Sequence, residues 1–193
     1  MTDRSVHSGA SDRLVWQAVA LLLAYPDDGT AARCALVRRA VPGTFDPFCD
    51  HVAGTPLRVL QQSYVDTFDF RRRCCLHLTY YTDGDTRRRG GSLAALKRTY
   101  AAHGMAPADG ELPDFLPVMC EFAAAVDAGR DLLVAHRPAL ELLRLALRDA
   151  DSPYAAVVAA LCATLPGPAP ADRAAAVALA RSGPPTETVG VYQ

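Results

Sequence analysis

Residues 12–25, DRLVWQAVALLLAY, carry the clearest secondary-structure pattern in the chain. Their large apolar side chains recur at intervals typical of an amphipathic α-helix with one buried face: Val15, Trp16, Val19, Leu22 and Leu23. Ser11 is a suitable N-cap, and Pro26 can end the helix. We therefore predict a helix from Asp12 to Tyr25.

Helical patterns of the same kind follow along the chain, whereas strand patterns are nearly absent. Thr55-Pro56 and Ser152-Pro153 each begin a helical pattern, because proline is tolerated in the first turn of a helix. A further helix is predicted from Asp114 to Gly129. The sequence thus predicts an all-α, single-domain bundle of about seven to nine helices.

Composition shifts near both ends suggest a division of the chain. Residues 166–170 read PGPAP, which is typical of a linker, and an alanine-rich stretch follows. We expect a disordered N-terminus at residues 1–11, a helical domain at residues 12–165 and a flexible Pro/Ala-rich C-terminal tail at residues 166–193.

The overall composition excludes several classes of protein. Of 193 residues 50% are hydrophobic, and 20 basic and 21 acidic side chains give a net charge of −1. A packed core is therefore expected, and a dedicated nucleic-acid-binding protein is not. No apolar run reaches the roughly 20 residues of a membrane-spanning helix, and the first residues lack a secretory signal. Six cysteines without a C-x-x-C pair indicate free thiols, so we expect a cytoplasmic protein.

Motifs of enzyme chemistry are missing from the sequence. The chain has no Walker loop and no G-x-G-x-x-G, G-x-S-x-G or H-E-x-x-H. Cys75 and His77 supply only two metal ligands between them, too few for a structural zinc site. We predict that the protein is not an enzyme and has no metal site.

Two arginine runs, Arg71 to Arg73 and Arg87 to Arg89, allow two interpretations. They could form a patch for anions or nucleic acid. Alternatively, they could form internal salt bridges with the aspartates that precede them, and the interleaved signs favour this second interpretation. The glycine pair Gly90-Gly91 after the second run lies inside a helical pattern, where glycine usually allows another backbone to approach closely.

The aromatic residues between positions 64 and 91 also leave two possibilities open. Tyr64 and Phe68 have the spacing of a buried helix face, which favours a place in the core. Tyr80 and Tyr81 are adjacent, so a helix cannot direct both toward one core, and aromatic residues are common at recognition surfaces. The segment is therefore either core or part of a binding site.

Several sequence blocks in this region and around it resemble one family. They are YVDTFD (64–69), LHLTYY (76–81), GDTRRRG (84–90), ELPDFLP (111–117) with the following Glu121-Phe122, and LLLAYP (21–26). They resemble the signature of the NarJ family, assembly chaperones of respiratory nitrate reductase within the wider TorD/DmsD group of redox-enzyme maturation proteins. The resemblance spans about residues 12–165. His77 and Phe115 depart from it, because the family often has tyrosine and histidine there.

The resemblance implies a TorD-like helical fold and a private chaperone rather than a catalyst. Such a chaperone binds the N-terminal peptide of the apo catalytic (alpha) subunit of nitrate reductase. It holds the subunit competent for insertion of the molybdenum cofactor before membrane docking, without binding the cofactor stably. Molybdenum cofactor biosynthesis proteins are further expected partners. The alternative is a helical adaptor for the signal peptide of another molybdoenzyme.

A peptide with a basic start and an apolar body needs an apolar groove with acids at one end. We predict that the walls of this groove are Tyr64, Phe68, Leu76, Tyr80, Leu116, Met119 and Phe122, each of which could instead be plain core. The predicted acids are Asp66, Asp69, Asp114 and Glu121. Gly84, Asp85, Thr86, Arg87 and Arg88 are expected to form a structural motif, in which the arginines brace the Gly84-Asp85 turn.

Overall fold

The computed structural model describes the backbone of residues 3–182 and the side chains of residues 11–179. These residues form eleven α-helices and one short 3-10 helix, Arg72–Cys74. The α-helices are α1 Asp3–Leu22, α2 Thr30–Ala40, α3 Asp46–Ala53, α4 Leu57–Phe68, α5 Thr79–Asp83, α6 Arg87–Ala102, α7 Leu116–Ala125, α8 Ala128–Ala135, α9 Arg137–Asp149, α10 Tyr154–Ala163 and α11 Arg173–Ser182. The prediction of an all-α fold is confirmed.

The helix count exceeds the predicted seven to nine for local reasons. The segment from Asp114 to Gly129, expected as one helix, contains α7 and the start of α8, because the backbone of Val126 between them is extended. A five-residue helix, α5, adds a further element that periodicity cannot detect.

Helix α1 is the centre of the bundle and packs against α2, α7 and α10. All five residues of its predicted apolar face are buried: Val15, Trp16, Val19, Leu22 and Leu23. The indole of Trp16 donates a hydrogen bond to the hydroxyl of Thr164 at 2.8 Å, which links α1 to the end of α10. The predicted core face is confirmed, although the helix begins at Asp3 and ends at Leu22 instead of spanning Asp12 to Tyr25.

The LHLTYY and ELPDFLP blocks meet in space, although 29 residues lie between them along the chain. The amide of Leu78 donates to the carbonyl of Asp114 at 3.0 Å, and the amide of Leu116 donates to the carbonyl of Leu76 at 2.9 Å. His77 and Phe115 form the antiparallel bridge between these bonds. Backbone pairing therefore fixes the start of α7 against the segment before α5.

A close approach of two backbones occurs at Gly129 and not at Gly90-Gly91. A Cβ on Gly129 would lie 2.1 Å from the Cα of Ala123, so only glycine allows α8 to pack this tightly on α7. Open space surrounds Gly90 and Gly91 on α6. The expectation that this pair allows a close approach is wrong.

Residues 166–179 pack on α9, where the sequence suggests a flexible tail. Arg137 donates to the carbonyls of Gly167 at 2.8 Å and Pro168 at 3.0 Å, and Arg144 donates to that of Pro170 at 2.7 Å. The fully buried Ala176 of α11 packs on Leu142 and Leu145. The composition of residues 166–179 does not reveal these hydrogen bonds, because their donors are arginines of α9. Residues 183–193 of the expected tail lie outside the described residues.

Candidate functional site

An apolar groove of about 340 Å³ opens beside the C-terminal end of α1. It is lined by Ala20, Ala24 and Tyr25 near the end of α1 and by four residues of α7, of which Pro117 and Phe122 are buried, Val118 is partly buried and Glu121 is exposed. Tyr64 and Tyr100 reach the groove from α4 and α6, and residues 105–108 with Glu111 and Phe115 close its side. This volume lies in the range of ordinary ligand pockets.

The tyrosines of the groove present rings rather than free hydroxyls. The hydroxyl of Tyr64 donates to the carbonyl of Leu23 at 3.0 Å, and that of Tyr100 donates to the carbonyl of Pro113 at 2.6 Å. Burial raises the pKa of both hydroxyls above the ordinary value, so they stay neutral. Tyr25 is half exposed at the rim, with its ring edge-on to Tyr64 at a centroid distance of 5.4 Å. Tyr25 therefore offers apolar ring surface to a ligand, whereas Tyr64 and Tyr100 line the groove as buried residues.

Two carboxylates supply the charge of the groove. Glu111 and Glu121 both line it, and no lysine or arginine is among the described residues that do so. Partial burial raises the pKa of Glu121, and the negative charge of Glu111 raises it further. A ligand with a cation between apolar groups would relieve this repulsion while covering the rings.

The groove brings together only part of the predicted site. Tyr64, Glu121 and Phe122 line it. Leu116 and Met119 are fully buried beneath it, and Phe68 and Leu76 belong to the core as well. These four side chains support the walls rather than face a ligand.

Asp114 is a predicted acid that the fold uses internally. It has no exposed surface, and its carboxylate accepts a hydrogen bond from Thr79 at 2.5 Å. The ring Nδ1 of His77 lies 3.2 Å from it, and the guanidinium of Arg89 lies 3.3 Å from it. Burial alone would raise the pKa of Asp114, but the hydrogen bonds from His77 and Thr79 and the charge of Arg89 hold it at about 2.

Three other predicted residues lie outside the groove lining. Asp66 is exposed on α4 and accepts a hydrogen bond from Gln62 at 2.8 Å, and Asp69 is exposed at the end of the same helix. Tyr80 is half-buried on α5 with its ring against Tyr81. These three residues lie on α4, at its end and on α5, and none of them lines the groove.

The Gly84 turn is held by its neighbours rather than by the predicted arginines. Gly84 has a φ of +58°, and the hydroxyl of Thr86 donates to the carbonyl of Asp83 at 2.8 Å. Asp85, Arg87 and Arg88 are exposed. In the described part of the chain, the one ion pair made by either arginine run joins Arg89 to Asp114. The interpretation of these runs as salt bridges to the preceding aspartates is wrong.

The side wall and rim of the groove are not among the residues predicted from the sequence. Glu111 and Phe115 belong to a quoted block without a predicted role, and Tyr25 belongs to another. Residues 105–108 have no periodicity that could single them out. Tyr25 follows the predicted apolar face of α1 in the sequence, but its exposure at the rim is visible only in the structure.

Metal-binding clusters and membrane-spanning helices are both absent from the described residues. No three histidine, cysteine or acidic side chains there are grouped so that they could hold a metal ion. Within the same residues, no helix is both long and apolar enough to cross a membrane. All six cysteines are free thiols, five of them buried and Cys75 partly so.

The chain is an all-α bundle with an apolar groove, and comparisons with known proteins identify its family. The model of the nitrate reductase delta subunit family matches residues 34–160. The chain belongs to this family.

Relatives of known name agree with this assignment. The nitrate reductase-like protein NarX of Mycobacterium tuberculosis is 43% identical over 161 residues, which cover 78% of this chain and 24% of that protein. The chain therefore spans about a quarter of the length of that relative. A Bacillus subtilis protein named as a probable nitrate reductase molybdenum cofactor assembly chaperone, NarJ, is 34% identical over 163 residues, 79% of this chain and 89% of that protein. The Bacillus subtilis relative is thus named as a chaperone, whereas NarX is named after nitrate reductase.

A solved structure shares the fold. A crystallised chain from Archaeoglobus fulgidus, assigned to the redox enzyme maturation proteins, superimposes with a TM-score of 0.64 at 18% identity. The match covers 78% of this chain and 91% of that one. The arrangement of helices is therefore that of a solved protein.

Proposed function

We propose that the protein is an assembly chaperone for the apo catalytic subunit of respiratory nitrate reductase. Its groove binds the N-terminal peptide of that subunit and holds the subunit competent for insertion of the molybdenum cofactor before it docks on the membrane. The observation that supports this proposal most directly is an apolar groove whose only charged lining groups, among the described residues, are Glu111 and Glu121. The names of the relatives support the choice of client.

The chemistry of the groove suits an amphipathic helical peptide with a basic residue. Apolar anchors of the peptide would cover the rings of Tyr25 and Phe122, while a lysine or arginine meets Glu111 and Glu121. Three or four anchors at roughly 1.5–3 kcal/mol each contribute about 5–12 kcal/mol in total. Association and ordering cost at least about 4 kcal/mol, so at most about 8 kcal/mol remains and an affinity no tighter than about micromolar is expected. Such binding is reversible enough for release of the client.

In this proposal the molybdenum cofactor is the client's cargo and not a resident group of the chaperone. The chaperone acts in the cytoplasm and meets molybdenum cofactor biosynthesis proteins while the client is bound. Its own contribution is physical: it covers the apolar start of the client and delays docking. No bond is made or broken by the chaperone.

Calorimetry with a synthetic N-terminal peptide of the nitrate reductase catalytic subunit tests the proposal. The double variant Glu111→Gln with Glu121→Gln should weaken binding about 5- to 30-fold, because two charge contacts at the groove rim contribute together about 1–2 kcal/mol. The matched control, Asp66→Asn with Asp69→Asn, removes two exposed acids outside the groove and should bind like the wild type.

Two results would contradict the proposal. Wild-type protein that ignores the peptide would refute the choice of client, and a preference for the signal peptide of another molybdoenzyme would support the adaptor alternative. Equal loss of affinity in both double variants would show that the effect of Glu111 and Glu121 is not specific to the groove.

A further inference from the structure

Residues 104–111 form one side of the groove and have open space on both of their faces. Met105, Ala106, Pro107 and Ala108 line the groove. The same residues line a second space of about 280 Å³ on their other face, which is bounded by Lys97 and Ala101 of α6. The segment therefore stands as a wall between two spaces of similar size.

Few backbone hydrogen bonds attach the wall beyond Gly104: one joins Met105 to Tyr100 of α6, and the bond between Glu111 and Ala108 lies within the wall itself. Gly104 and Gly110 have φ angles of +70° and +89°, a conformation that glycine adopts without strain. The amide of Met105 donates to the carbonyl of Tyr100 at 3.0 Å, and the amide of Glu111 donates to the carbonyl of Ala108 at 3.0 Å. Within the described structure, the amides of residues 106–110 make no hydrogen bond to a helix. Little free energy therefore opposes a displacement of the wall.

A helical peptide that lies deep in the groove, instead of inserting only its anchor side chains, needs such a displacement. A helix about 10 Å wide with a pitch of about 5.4 Å occupies roughly 400–500 Å³ per turn with its side chains. The groove of about 340 Å³ is smaller than one turn, whereas an apolar stripe of three or four anchors extends over two turns or more. The space behind the wall would supply the missing room.

We propose that residues 104–111 are a movable wall, which retreats toward α6 when a helical peptide enters the groove. This inference rests on the proposed function. Glu111 is at the end of the wall, so its carboxylate moves with it and can adjust to a cation on the peptide, while Glu121 stays fixed on α7. Glu111 thus becomes an adaptable contact of the groove and Glu121 a rigid one.

Filling the space behind the wall tests this idea without touching the groove. Ala101→Trp places an indole in that space, and Ala101 is exposed, so the fold should tolerate the change. Ala102→Trp is the matched control, because Ala102 is equally exposed on the same helix but does not line the space. The probe is the synthetic N-terminal peptide of the nitrate reductase catalytic subunit.

The variants should differ in both affinity and motion. We expect Ala101→Trp to weaken peptide binding about tenfold or more, because it lowers the population of the open state, and Ala102→Trp to stay within about twofold of the wild type. In the free protein, relaxation dispersion should detect microsecond-to-millisecond exchange at residues 104–111 that Ala101→Trp suppresses.

The two measurements separate this inference from the proposed function. If the wild type binds the peptide and the two variants bind it with equal affinity, the proposal of a movable wall is overturned. If the wild type does not bind the peptide, the proposed function fails, and the relaxation experiment alone decides on the wall. Absence of exchange at residues 104–111 in the free protein would then overturn it.

Discussion

Thr79 donates a hydrogen bond of 2.5 Å to the carboxylate of Asp114, which lies 35 residues further along the chain. Together with His77 and Arg89, this contact ties α5, α6 and the start of α7 to one buried charge. Three sequence blocks of the family resemblance thus meet at Asp114. Their shared role is to fix the base of α7, whose residues line the groove.

Replacing this carboxylate should destabilise the fold more than it affects any surface. Asp114→Asn leaves Arg89 without its buried ion-pair partner and weakens the bond from Thr79, so we expect a loss of about 2–4 kcal/mol in the free energy of unfolding. Urea denaturation followed by circular dichroism measures this loss. Asp109→Asn, at an exposed loop position, is the control. Equal midpoints for the two variants would contradict the structural role of Asp114.

The same carboxylate should make stability depend on pH in the acid range. The pKa of Asp114 is about 2 in the folded protein against an ordinary 3.8, so the unfolded chain takes up its proton first as the pH falls. The stabilisation, about 2 kcal/mol, is complete above the ordinary pKa and disappears as the pH approaches 2. Unfolding free energies of the wild type and Asp114→Asn should therefore converge between pH 5 and pH 2. A constant difference over this range would assign the stabilisation to another group.

The core could be predicted from the sequence because helical period reports which residues face inward. Val19 and Leu23 follow this rule and are fully buried. The groove could not be predicted in the same way, since period does not distinguish an inward residue that fills the core, such as Met119, from one that borders a gap, such as Phe122.

Charge is equally ambiguous in a sequence. Asp114 lies two residues before α7, and Glu121 lies within it. Asp114 is buried and contacts three polar partners, whereas Glu121 lines the groove. Which of them meets a ligand depends on partners such as Arg89, which come from a distant helix. The resemblance to a family indicates the fold and the kind of client, but not this division of roles.

The contact between α7 and α8 should tolerate no side chain at Gly129. Gly129→Ala would place its Cβ 2.1 Å from the Cα and 2.7 Å from the amide nitrogen of Ala123, so the helices must separate. We expect a loss of about 3 kcal/mol or more in thermal or urea unfolding. Gly90→Ala is the matched control on α6, where nothing lies within 4 Å, and it should stabilise the protein by about 0.4–1 kcal/mol. The opposite order of the two variants would show that the α7–α8 approach is looser than described.

The packing of α11 on α9 can be tested at Ala176. Its side chain is fully buried against Leu142 and Leu145, so Ala176→Asp would bury a carboxylate among leucines and should detach α11. Arg137 and Arg144 bind the carbonyls of residues 167–170, which should keep the linker in place while the helix opens. Limited proteolysis of residues 173–182 should therefore accelerate about tenfold or more, since cleavage follows the population of the open form.

Ala174→Asp adds the same charge at an exposed position of α11 and should leave the rate near that of the wild type. Rapid cleavage of the wild type at the rate of Ala176→Asp would favour the flexible tail that the composition suggests.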